Sequence, residues 1–173
     1  MIAEKKPNAD EPSNSAGAAY AVLIKMAPEC IPPLIDALTN QDIQIWGMAA
    51  GILGEIGPEA KAAIPRLSLR LPDKDPRIRL GAAVVIGKLD GDPATFVPVM
   101  IALLHPLAHE AGDFEFLLDA LLHYPEQAKP AVPILVDILN SATNSTDPDN
   151  TLLRDDVTRA LQKINDATSA EVK

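Results

Sequence analysis

Cysteine occurs once in this 173-residue chain and aromatic residues make up only 3% of it. A single cysteine, Cys30, excludes an intrachain disulfide, so the fold rests on its core. Its neighbours Ile31, Pro32, Pro33 and Leu34 suggest a small buried hydrophobe, and for a complete chain a lone cysteine leads to the expectation of a cytoplasmic setting. With so few aromatics, the hydrophobic 47% is mostly Ala, Leu, Ile and Val, which let helices approach closely and carry little strand signal. Long apolar runs are also missing. The longest candidate, 96 to 108, is broken by Pro98, His105 and Pro106 and falls short of the ~18 residues that span a bilayer. Nor does the stretch Met1 to Pro7 hold a signal-peptide core.

Positive charge is the other shortage: 15 basic residues face 24 acidic ones, a formal net charge of -9. That balance argues against general attraction to nucleic acid or to an anionic membrane. It is unevenly spread. Lys61 to Lys88 holds seven basic residues and two acidic ones, whereas Leu89 to Val157 holds twelve acidic and two basic. A basic band followed by an acidic one describes either solvated helix faces or a dipolar binding surface.

Proline, by contrast, is abundant. The sixteen prolines recur before or within the first turn of candidate helices, where a missing N–H costs nothing. They punctuate a self-similar block: Gly54-Glu55-Ile56-Gly57-Pro58 running to Pro65, then Gly87-Lys88-Leu89-Asp90-Gly91 running to Pro98, then Leu122-His123-Tyr124-Pro125 running to Pro133. The anchors Leu53, Ile86, Leu121 and Leu161 lie 33, 35 and 40 residues apart. A period in that range predicts stacked helix pairs. Inner helices are expected over 18–26, 43–56, 77–89, 113–124 and 150–165, and outer ones over 30–39, 60–71, 94–105 and 127–140, with a polar loop at 141–149. Residues 1–17 have the composition of a disordered leader, 18–166 form the repeat domain and 167–173 a short tail.

The block Asp75-Pro76-Arg77-Ile78-Arg79-Leu80-Gly81-Ala82-Ala83, ending Ile86-Gly87-Lys88-Leu89, resembles a HEAT repeat, specifically the PBS-lyase HEAT-like variety. The resemblance covers about 18 to 165. It implies an all-α, right-handed α-solenoid of about four helix pairs, in the armadillo-like superfamily. It departs from the family at the arginine position, which reads Trp46, Arg79, Phe114 and Arg154.

At about 100° per residue, the positions seven, four and three before each anchor and three after it share the anchor's face. These are Trp46, Ala49, Ala50 and Ile56, then Arg79, Ala82, Ala83 and Leu89; Arg79 is expected to pair with Asp73 or Asp75. The opposite face carries Met48, Glu55, Val84, Lys88, Phe116, Asp119, His123, Arg159 and Lys163, joined by Gly51, Gly81 and Asp156. In HEAT-like arrays this face lines a concave groove. Apolar Met48, Val84 and Phe116 on a solvent-facing side mark it as the partner-binding surface.

Catalytic patterns are sparse. No serine sits in a Gly-x-Ser-x-Gly setting, Gly47, Gly51 and Gly54 have helical rather than phosphate-loop spacing, and Asp155 and Asp156 diverge around a helix. His105, His109, Glu110 and Asp113 have metal-ligand chemistry, but the second His-Glu pair of deoxyhypusine hydroxylase-like sites is missing, so a solvated loop with no metal is expected. The expectation is therefore a non-catalytic scaffold without cofactor, binding a protein partner. The resemblance also admits a bilin lyase or lyase chaperone, or DNA binding through Arg66, Arg70, Arg77 and Lys88. The helix at 18–26, apolar almost all round, is expected to pair two copies end to end.

Overall fold

The computed structural model describes residue 22 and residues 24–108, 110–143 and 150–170, most of them helical, with no strand among them. The expected leader 1–17, most of the helix expected at 18–26, His109 and positions 144–149 lie outside the described residues.

Helix starts follow short local codes. Helix α1, Ile31–Ala37, opens with proline in its first turn. Helix α2, Ile43–Ile56, begins where the Asp42 carboxylate accepts the Gln44 N–H at 2.9 Å, and it ends at Gly57, whose φ of 77° only glycine adopts readily. Helix α4, Pro76–Lys88, repeats the cap, with Asp75 accepting from the Arg77 N–H at 2.9 Å. In α5, Pro93–Leu107, Asp92 accepts from the Ala94 N–H at 3.0 Å. Helix α6 spans Ala111–Leu121, α7 Val132–Thr143 and α8 Asn150–Ala170.

Several boundaries differ from the sequence reading. The outer helix expected at 60–71 is a 3₁₀ segment, Gly57–Ala63, leading into a short α3, Ile64–Ser68. The one expected at 127–140 likewise opens as 3₁₀ at Lys129–Ala131 before α7. Closely spaced prolines, Pro58 with Pro65 and Pro130 with Pro133, remove the N–H groups that a continuous α-ladder needs. Helix α7 also runs on to Thr143, burying Ala142, so the first three residues of the expected loop are helical. Helix α8 continues to Ala170, past the 166 expected to close the repeats.

Helices α2, α4, α6 and α8 each pack on the next of that series, while α1 packs on α2, α3 on α4, α5 on α4 and α6, and α7 on α5 and α8. The core lies between these two sets. Trp46, Ala49, Ala50 and Leu53, then Ala82, Ala83, Ile86 and Leu89, then Phe114, Leu117, Leu118 and Leu121 are buried, as the helical geometry predicts. Burial of such aliphatic surface, about 25 cal/mol per Å², is the main stabilising force.

The last helix corrects the anchor. Among its described side chains Val157, Ala160 and Ile164 are buried, with Leu161 only half-buried. Ile164 thus occupies the place of Leu53, Ile86 and Leu121, one turn beyond the expected Leu161. Arg79 is corrected too: its Nη1 donates to the backbone carbonyls of Asp73 at 2.8 Å and Lys74 at 3.1 Å rather than to a carboxylate. The Asp73 carboxylate instead accepts from Arg70 at 3.2 Å and from the Asp75 N–H at 3.0 Å.

Candidate interaction groove

The faces of α2, α4, α6 and α8 turned away from the core carry three successive hollows. The largest, about 320 Å³, lies between α4 and α6 and is lined by Val84, Lys88, Phe116, Asp119, His123 and Tyr124, among others. A second, about 240 Å³, lies between α2 and α4 and shares Val84, Lys88 and Phe116 with the first. Glu55 borders the second hollow. The third, a shallow one of about 90 Å³ between α6 and α8, holds Glu115, Asp119, Arg159 and Lys163.

Eight of the nine expected groove residues therefore line these hollows, and Met48 alone does not, although it is exposed on α2. Phe116 is 50% exposed, a large apolar side chain at the mouth of two hollows. Arg159 and Lys163 reach the third hollow because of the Ile164 register. They stand five and one residues before that anchor, as Phe116 and Ala120 stand before Leu121.

Glycines keep the floors open. A Cβ at Gly81 would stand 3.5 Å from the Trp46 ring, and one at Gly87 would meet the Tyr124 hydroxyl at 2.6 Å. Tyr124 in turn packs edge-on against Phe96, with ring centroids 5.0 Å apart. Burial, with help from the Asp90 charge, raises the Tyr124 pKa, so the phenol stays protonated as a donor at the hollow's edge. Sequence reading missed Trp46, Gly87 and Tyr124 as lining residues. The available signal was that Gly87 and Tyr124 flank adjacent anchors, Ile86 and Leu121.

Charges along the groove are mostly matched. Lys88 Nζ donates to Glu55 Oε1 at 2.7 Å, and the resulting hydrogen bond and positive charge hold the Glu55 carboxyl below the usual glutamate range. Arg159 donates to Asp156 at 2.7 Å. His123 Nδ1 lies 2.8 Å from the Asp119 backbone carbonyl, which places the ring proton on Nδ1. The carboxylates of Asp119 and Glu115 make no ion pair or side-chain hydrogen bond among the described residues.

Four of the seven cations of the basic band, Lys61, Arg70, Arg77 and Lys88, pair with carboxylates, whereas Arg66 and Lys74 make no ion pair among the described residues. Arg77 clamps Asp113 at 2.6 Å and Glu110 at 3.0 Å, and Lys61 reaches Asp90 at 3.5 Å. Arg70 is held by Asp73 and the Asn40 carbonyl. Of the candidate metal ligands, Glu110 and Asp113 turn to Arg77 and His105 stands 3.8 Å from Asp137, while His109 lies outside the described residues. Among the described residues no group of three or more His, Cys, Asp and Glu is arranged to hold a metal ion. No helix among them is long and apolar enough to cross a membrane. In comparisons with known proteins, no family model and no curated protein matches the chain.

Proposed function

We propose that this chain is a short right-handed α-solenoid of HEAT-like helix pairs that acts as a non-catalytic, cytoplasmic scaffold, binding a protein partner in the groove of α2, α4, α6 and α8. The observation that carries the reading is the row of adjoining hollows with Phe116 exposed between two of them. Solvent offers no reward for an exposed phenylalanine over an open apolar floor, whereas a partner side chain does. The series of each groove helix touching the next supports a repeat array. Fold alone leaves function open, so the reading rests on the groove and not on the HEAT resemblance. Of the four residues of the DNA-binding reading, Arg70, Arg77 and Lys88 are paired with carboxylates and Arg66 is not, which leaves little free positive charge for a phosphate backbone.

A photo-crosslinking residue at position 116 should capture a partner that the same residue at Leu69, an exposed site on the turn after α3, does not. Equal capture at both positions would end the groove assignment. The same proposal includes an end-to-end dimer at the N-terminal side, where Val22 and Met26 are exposed. Sedimentation of the intact chain beside Val22→Glu tests it, and a monomer in both samples would refute it.

A further inference from the structure

We infer that the groove's occupant is an amphipathic helix carrying two apolar residues about seven positions apart and a Lys or Arg three or four positions further on. The inference rests on the groove reading above and adds the chemistry of the partner. Three observations lead to it.

The first is spacing. The two larger hollows lie on either side of α4, so their centres are separated by roughly one interhelix distance, about 8–10 Å. Residues seven apart on an α-helix share a face and stand about 10.5 Å apart. An extended strand matches less well, because its same-face residues fall about 7 or 14 Å apart. The second is polarity. The floors of both hollows are apolar, Met100 and Ala120 in one and Ala50 and Val85 in the other, which suits aliphatic anchors.

The third is charge. Lys88 is matched by Glu55, and Arg159 by Asp156, so the groove cations on α4 and the start of the α8 flank are neutralised. Beyond the larger hollow, Asp119 and Glu115 are two unmatched carboxylates, and the third hollow sets one lysine, Lys163, against them. The balance left for a partner is negative. Asp119 borders both the larger and the third hollow, about half an interhelix distance past the larger one. That offset equals roughly one helical turn of an occupant, which sets its basic residue three or four positions beyond the second anchor.

The test uses the intact chain and a synthetic Ala-based helical peptide with Leu at the two anchor positions and Arg at the third, in comparison with the same peptide carrying Glu in place of Arg. Fluorescence anisotropy of the labelled peptides should show the Arg form binding on the order of tenfold more tightly, the effect of one charge-assisted contact. Asp119→Arg, at an exposed position that leaves the core intact, should reverse that preference. Equal affinity for both peptides would overturn the charge assignment. Absence of peptide binding while position 116 still captures a partner would overturn the helical occupant and leave the groove reading standing. Loss of capture at position 116 would instead remove the groove itself. Protection of position 116 within a dimer of this chain would also overturn the inference, by naming a second copy as the occupant.

Discussion

Glu55 on α2 and Lys88 on α4 meet at 2.7 Å, and that lysine borders both of the larger hollows. Because Lys88 lowers the Glu55 pKa, the pair's stabilisation is present above the unfolded glutamate pKa and is lost as pH falls through the lower folded value. Both side chains are about half exposed, so solvent keeps the effect small. A carboxyl-carbon NMR titration should place Glu55 below ordinary glutamates, and Lys88→Met should return it to their range. An unchanged Glu55 titration in that variant would mean the contact does not persist in solution.

The face assignment separates two residues of α6. Leu121 is 1% exposed and Phe116 50%, so Leu121→Ala should cost about 2–5 kcal/mol of stability and Phe116→Ala less than about 1. Urea denaturation followed by circular dichroism measures both. Comparable losses would show that Phe116 is part of the core.

Two glycines should respond in opposite directions. A Cβ at Gly47 meets nothing within 4 Å, so Gly47→Ala in α2 should stabilise by about 0.5–1 kcal/mol through helix propensity. At Gly91 a Cβ would lie 2.8 Å from the Ile86 carbonyl oxygen, a backbone atom that cannot step aside, so Gly91→Ala should lower the melting temperature. A rise in both variants would show that the turn after α4 is looser than described.

Trp46 is 4% exposed, its indole Nε1 has no hydrogen-bond partner, and the Arg70 guanidinium lies 5.9 Å from its ring centroid. An unsatisfied buried donor already costs stability, so Trp46→Phe should stay within about 1.5 kcal/mol of the parent, whereas Trp46→Ala should cost about 3–5. Native emission from this single tryptophan should be blue-shifted. A steep loss in Trp46→Phe would reveal a partner for the indole N–H.

Much of the helical pattern was legible because its signals are local. The span 43–56 was readable residue for residue, since Asp42 before it and Gly57 after it are short-range codes. The buried faces of α2, α4 and α6 followed from the 3.6-residue period alone. Where two answers fit the period, contacts decided. Leu161 and Ile164 share one apolar stripe in α8, and only its seating against α6 and α7 selects Ile164. The partner of Arg79 was hidden for a different reason: the turn at 73–75 aims carbonyls, which no side-chain pattern encodes. The hollows depend on Gly81 lying under Trp46 and Gly87 under Tyr124, encounters between residues 35 and 37 positions apart.

The substantial contacts between helices join elements no more than two apart in the chain order, α2 with α4 or α5 with α7, and never α1 with α8. Closing short loops takes little chain entropy, and proteins built from such contacts fold in microseconds to milliseconds. Among the described residues no substantial contact joins the first helices to the last. A disturbance at α8 therefore has to travel helix by helix to reach α2, and hydrogen exchange should register protection that falls away by stages from the middle helices toward α8 rather than in a single global step.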